Sequence, residues 1–251
     1  MRSIAIVSGK GGVGKTTTAI NLGIALNNLG KSVTIVDANT STPDVALSLG
    51  APVIPIALQH VLSEKAMTES AIYRHSSGTK ILPSSLSFPE KVKLSNLKNV
   101  IKDLEKTNDF VIIDCAAGVN DETHAVMDAV DECLIVTNPE ITALSSALKT
   151  IQLAKKLDKK FTGVIVNKTA KIGLTNENIA ALLEQEIIGE IPSDKVVRES
   201  LLKKDALLVL SPKSRVSKSY NKIARRISND CKESAFERFI GVLNGLKEMI
   251  D

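Results

Sequence analysis

Ser8-Gly9-Lys10-Gly11-Gly12-Val13-Gly14-Lys15-Thr16-Thr17 is the most informative run in this chain. From Gly9 to Thr16 it reads G-x-x-x-x-G-K-[ST], the phosphate-loop pattern. Ile4-Ala5-Ile6-Val7 precedes it, a short apolar run suited to a buried strand. Behind it, Ala19, Leu22, Ala25, Leu26 and Leu29 recur at helical spacing. Strand, glycine loop and helix, in that order, make a phosphate site. The glycines allow dihedrals that side chains forbid. Backbone N–H groups then converge on an anion at the positive end of the helix. Lys15 supplies a point charge, and the Thr16 hydroxyl can coordinate Mg²⁺. Gly11, Gly12, Val13, Gly14, Lys15, Thr16 and Thr17 are therefore the candidate phosphate-binding residues.

Lys10 adds a second cation that a plain phosphate loop does not need. The run Lys10–Thr17 resembles the deviant Walker A motif of the MinD/ParA family of ATPases. The resemblance implies ATP and Mg²⁺ as cofactors and an ATP-dependent homodimer. In such a dimer Lys10 reaches across to the partner's nucleotide.

The sequence has 251 residues, 43% of them apolar and 24% charged, which is a globular balance. No apolar run approaches the roughly 20 residues of a membrane span. The first strand is expected to begin at once, so no signal peptide is expected. Cys115, Cys133 and Cys231 are far apart and form no C-x-x-C. That spacing argues for a reducing cytosol and against the iron–sulfur carriers among the family's relatives. The net charge of +4 is only mildly basic. Tryptophan is absent and aromatics are 3%, so base-stacking platforms are not expected.

Strand-like runs at 3–8, 33–36, 80–83, 110–114, 132–137, 161–166 and 187–191 alternate with helical patterns. The helical patterns lie near 15–29, 94–105, 121–129, 142–157, 175–185 and 194–203. This predicts an α/β fold, with a doubly wound, mostly parallel central sheet and helices on both faces. One P-loop ATPase domain is expected over 1–251.

The second strand ends at Asp37-Ala38-Asn39. A carboxylate at that edge faces the crevice where ligands bind in this architecture. The segment resembles the family's second acidic motif, whose aspartates position water and Mg²⁺. The family pattern has a second aspartate where this chain has Asn39. An amide cannot serve as a base. Asp37 is thus the candidate for water or metal contact, and slow hydrolysis is expected. Lys10, Lys15 and Asp37 are the catalytic candidates.

Phe110-Val111-Ile112-Ile113-Asp114 has the Walker B form. Asp114 is expected to hold a Mg²⁺-bound water opposite Thr16. Thr16, Asp37 and Asp114 make up the metal set. Gly118 completes D-x-x-x-G, where a glycine N–H can bond a γ-phosphate. Asn167 follows a strand and offers both a donor and acceptors. With Pro192 and Asp194 of the later proline-acid turn, it resembles the family segments that enclose adenine. Asp44 is expected to cap the helix Val45–Leu49, and Asp121 and Glu122 the next helix. Cys115 should pack, and His60 and His75 should lie on the surface.

Together these features predict a MinD-like Mg²⁺-dependent ATP hydrolase that works by dimerisation, with an unidentified protein partner. Spatial organisation is the implied role, such as cell-division site placement or positioning of a cellular structure. The alternatives are a ParA-like partitioning ATPase and a P-loop phosphotransferase or synthetase. The ParA-like reading would bind DNA nonspecifically through Arg215, Lys218, Lys222, Arg225 and Arg226.

A cytoplasmic location is expected, with the C-terminus as the possible membrane contact. Over 232–251, Phe236, Phe239, Ile240, Leu243, Leu246 and Ile250 fall on one half of a helix. Family members grip membranes with such a segment. Here the other face carries Glu233, Glu237, Glu248 and Asp251, against Arg238 and the flanking Lys232 and Lys247. Anionic lipid repels acidic residues, whereas each basic one adds about 1 kcal/mol. Docking on this domain or on a partner protein is therefore favoured over peripheral membrane contact.

Overall fold

Strands that read as unbroken apolar runs need cover on both faces, and the fold supplies it. The structure is a computed structural model describing residues 1–88, 92, 94–170 and 174–229. The segment 232–251 lies outside the described residues. In chain order the elements begin with β1 (Arg2–Val7), α1 (Lys15–Asn28), β2 (Val33–Asp37), α2 (Val45–Ser48) and α3 (Leu58–Leu62). The hairpin strands β3 (Tyr73–Arg74) and β4 (Lys80–Leu82) follow, then α4 (Leu97–Glu105) and β5 (Phe110–Asp114). Next come α5 (Asp121–Ala129), β6 (Glu132–Thr137), α6 (Ile141–Lys156), β7 (Lys160–Thr169) and α7 (Asn176–Leu183). The chain closes with β8 (Ile187–Pro192), α8 (Lys195–Leu202), α9 (Leu207–Leu210) and α10 over 215–229.

The sheet order is β3-β4-β2-β5-β1-β6-β7-β8. Every pairing is parallel except β3 with β4. The doubly wound sheet expected from the alternation is thus the one observed. β1 sits between β5 and β6, so the chain crosses from one half of the sheet to the other at its centre. Ligands bind at such a crossing, beyond the carboxyl ends of the strands. Side-chain alternation divides the core. Ile4 and Ile6 join the layer of α1, α9 and α10, whereas Ala5 and Val7 join the layer of α3 to α7.

α10 buries Val216, Tyr220, Ile223, Ala224 and Ile227, one helical stripe. Arg2 ties its far end to the sheet: Nη1 donates to the Ile227 carbonyl at 2.8 Å. The same guanidinium holds Glu132, with Nε and Nη2 at 2.7 and 2.6 Å from its two oxygens. The Thr162 hydroxyl adds a bond to Glu132 at 2.8 Å. No described helix is long and apolar enough to cross a membrane.

Several sequence expectations need correcting. His60 and His75 are half-buried, not surface residues. His60 Nδ1 accepts from the Ala57 N–H, and its ring meets Phe88 edge-on. His75 Nε2 lies 3.0 Å from Asp205 Oδ1. Phe88 and Asp205 are brought up by tertiary packing, which ligand spacing does not report. The Asp44 side chain makes no capping bond. The carboxylate that does this work is Asp37, whose Oδ2 accepts from the N–H groups of Asp44 and Val45 at 3.2 and 3.1 Å. Asn120, not Asp121 or Glu122, caps α5, accepting from the Thr123 N–H at 2.9 Å. Glu122 instead binds the hydroxyls of Thr40 and Ser41 at 2.6 and 2.9 Å.

Candidate nucleotide site

The glycine loop leaves β1 and enters α1 through Gly14, whose φ of 101° is left-handed. A Cβ there would also overlap the Asn167 amide. A Cβ on Gly9 would overlap the backbone carbonyl of Ser146 on α6. The loop is thus wedged between β7 and α6, with the N-terminus of α1 open to a cleft of about 670 Å³. Gly11, Gly12, Gly14, Lys15, Thr16 and Thr17 line that cleft, while Val13 is buried beneath it.

Lys15 is 8% exposed, and no hydrogen bond or ion pair holds its ammonium among the described residues. A buried cation is costly without an anion. Beside it, the Thr16 hydroxyl donates to Asp114 Oδ2 at 2.6 Å. The other Asp114 oxygen, Oδ1, is buried without a partner among the described residues. Asp37 and Asp114 end β2 and β5 in register, side by side and fully buried. Burial raises both carboxyls. The Asp114 charge pushes Asp37 further up, against the N–H groups of Val45 and Asn39. The Thr16 hydroxyl and Lys15 charge restrain Asp114, which is raised to about 7. Two carboxylates so placed favour a nearby cation. No cluster of three or more His, Cys, Asp or Glu able to hold a metal occurs among the described residues. A hard divalent ion held chiefly by phosphate and water oxygens, with one hydroxyl and one carboxylate, fits this donor set.

Asn39 is 9% exposed. Its amide bonds the Thr42 carbonyl, and its Oδ1 accepts from the Thr42 hydroxyl at 3.1 Å. Asn39 therefore shapes the 39–42 turn. The Gly118 N–H donates to the Ser8 carbonyl at 3.0 Å, so the loops after β1 and β5 are closed on each other. A contact from this N–H to a γ-phosphate requires that bond to open. Lys10 is exposed and rests over the start of α6, 3.5 Å from Glu140 and 3.4 Å from Thr142.

Asn167, Pro192 and Asp194 line the same cleft, Asn167 directly beside the glycine loop. Asn167 Nδ2 donates to the Val13 carbonyl at 2.7 Å, and its Oδ1 accepts from the Lys168 N–H at 2.9 Å. One N–H and one lone pair of the amide remain. Asp194 caps α8, accepting from the Val196 N–H at 3.2 Å, and pairs with Arg215 at 3.4 Å.

Sequence reasoning missed Lys168, whose Nζ donates to the Gly12 carbonyl at 2.7 Å. Its position directly after Asn167 was the available signal. Also beyond sequence reasoning were the contact of the buried Tyr220 hydroxyl with the Thr18 hydroxyl, at 3.3 Å, and the Glu122 tether. Cys115 is buried, with its thiol pushed well up by burial and by the Asp114 charge, consistent with packing.

Residues 1–228 match the family model described as ParA, the NUBPL iron-transfer P-loop NTPase. An uncharacterized ATP-binding protein of Methanocaldococcus jannaschii is 34% identical over 229 residues, 90% of this chain and 87% of that one. The cell division ATPase MinD of Pyrococcus furiosus superposes with a TM-score of 0.86 at 33% identity, over 91% of this chain and 98% of that one. The septum site-determining protein MinD of Pyrococcus horikoshii, complexed with Mg-ADP, gives 0.85 at 33% identity, over 90% and 95%. The chain belongs to the MinD/ParA family of P-loop ATPases.

Proposed function

We propose that this chain is a single-domain Mg²⁺-dependent ATP hydrolase, slow in turnover, whose ATP-bound form pairs face to face with a second copy. The observation that carries this reading is the buried Lys15–Thr16–Asp114 group. It combines an unpaired ammonium, a hydroxyl already bonded to a carboxylate, and a carboxylate oxygen with nothing to bind. Lys15 and the N-terminus of α1 bind and orient the triphosphate. Thr16 and Asp114 would hold Mg²⁺, directly and through water. When bound, the ion supplies positive charge against the phosphate oxygens.

Asp37 is the remaining carboxylate for positioning water. Its oxygens accept from the Asn39, Asp44 and Val45 N–H groups. That engagement, with an amide at Asn39, supports slow hydrolysis. Asn167, Pro192 and Asp194 form the adenine end, and Lys10 acts on the partner's nucleotide. The role is spatial organisation, such as cell-division site placement or positioning of a cellular structure, through a protein partner, in the cytoplasm. The cell-division names of the superposed relatives support this role.

The test is Lys10→Ala. The variant is expected to bind ATP as a monomer and to fail both to dimerise and to hydrolyse. Sedimentation with a non-hydrolysable analogue reads the first failure. Dimerisation equal to the parent's refutes the role across the interface.

A ParA-like role in partitioning has its own supporting observation. Arg215, Lys218, Lys222 and Arg225 all lie exposed along α10. Arg215 and Arg226 are engaged by Asp194 and Glu186, which weakens the array as a phosphate-binding face.

A further inference from the structure

A second cleft, of about 470 Å³, opens between the β3–β4 hairpin and the turn joining α8 to α9. Its lining is largely apolar, with Ile81 buried, Leu49 and Ile54 half-buried, and Val53 81% exposed. Arg74, Lys203 and Lys204 surround it, all exposed, and no carboxylate pairs with them among the described residues. The lining's own carboxylate, Asp205, is already engaged by His75 and by the Ala206 N–H. An apolar concavity ringed by unpaired cations suits a segment with an apolar stripe and acidic flanks.

We propose that residues 232–251 of this same chain are that segment, folding back to cover the cleft. Composition, charge and reach all point to this occupant. The segment's stripe includes Phe236, Phe239, Ile240, Leu243 and Leu246, enough to cover the apolar lining. Within 232–251 the four acidic residues Glu233, Glu237, Glu248 and Asp251 outnumber the three basic ones, Lys232, Arg238 and Lys247. The terminal segment is thus net acidic in a chain whose overall charge is +4.

Reach follows from the sheet register. α10 ends against Arg2, through the Ile227 carbonyl. Arg2 is level with Phe110, Phe110 with Val33, the neighbouring Thr34 with Lys80, and Lys80 with Arg74. From β1 to β3 there are four strand-to-strand steps, about 19 Å in all. Twenty residues in a helix would span about 30 Å. The segment starts close enough, and is long enough, to lie under the end of α1 and enter the cleft.

The test uses the full chain with Cys231→Ser, because Cys115 and Cys133 are buried. Val53→Cys and Ile240→Cys are added and treated with a short bis-maleimide. Docking predicts an intrachain link whose yield does not change on dilution. Lys203→Glu with Lys204→Glu should lower that yield roughly fivefold, as expected for two exposed charge pairs. Glu233→Lys with Glu237→Lys should restore it in the same background. These exchanges are at exposed or terminal positions, and a thermal melt confirms that each variant folds. Amide exchange over 49–54 gives a second readout, and faster exchange in the Lys203/Lys204 variant is expected. Links that form only between chains and grow with concentration would assign the cleft to a second copy. No link, with both cysteines reactive to a monofunctional maleimide, would show that the segment lies elsewhere. Either result overturns the proposal.

Discussion

Among the described residues no hydrogen bond or ion pair holds the buried Lys15 ammonium, so its contribution should appear on ligand binding. Each charge-assisted hydrogen bond it makes to phosphate is worth roughly 1.5–3 kcal/mol. Lys15→Ala is expected to weaken ATP binding roughly tenfold or more by calorimetry. Unchanged affinity with an intact fold would remove Lys15 from the site. Asn39 makes a different case. Replacing its amide with a carboxylate keeps the acceptor for Thr42 and loses the donor. Asn39→Asp is expected to speed single-turnover hydrolysis while lowering Tm slightly. A fast parent slowed by the change would mean that Asn39 belongs to a differently built site.

Between elements, Glu122 ties the turn after β2 to the start of α5 through the hydroxyls of Thr40 and Ser41. Glu122→Ala should leave global stability within about 1–3 kcal/mol of the parent. Hydrogen exchange should quicken selectively over 39–42, and unchanged exchange there would show that the tether restrains nothing. The tether also shows what the sequence could and could not reveal. The phosphate loop, the Walker B strand and the mostly parallel, doubly covered sheet were legible because each is written in a short local pattern of glycine, charge or alternation. Glu122 and Lys168 were not, because their partners lie 82 and 156 residues away. Asn167 was found as a site residue, but its bond to the Val13 carbonyl depends on β7 lying beside the loop. Residues 51–79 carry the weakest local pattern, because their structure is set largely by tertiary packing. Tyr73, for example, satisfies both backbone groups of Ile56 with one hydroxyl.

At the scale of the molecule, Arg2, Glu132 and Thr162 join three strands to the end of α10. Burial raises the Glu132 carboxyl, but the Arg2 hydrogen bonds and charge, with Thr162, outweigh it and hold the carboxyl below its usual 4.5. A depressed carboxylate stabilises the fold above its unfolded value and loses that contribution as pH falls through its folded value. The loss should therefore appear below about pH 4.5 in thermal melts, and Glu132→Gln should flatten it. A variant with the same acid slope as the parent would assign the loss to other groups. Arg2→Ala at neutral pH leaves a buried charge unpaired and should cost about 3–5 kcal/mol. Lys10 lies at the other extreme. Its contacts with Glu140 and Thr142 are long, and the ion pair's side chains are 47% and 59% exposed. Exposed pairs of this kind are worth about 0–1 kcal/mol, so releasing Lys10 presents almost no barrier. If two copies pair through Lys10, the delay before pairing is set by how often loaded chains meet, and so by their local concentration. Crowding the loaded chains into one region of the cell would then be enough to start assembly there.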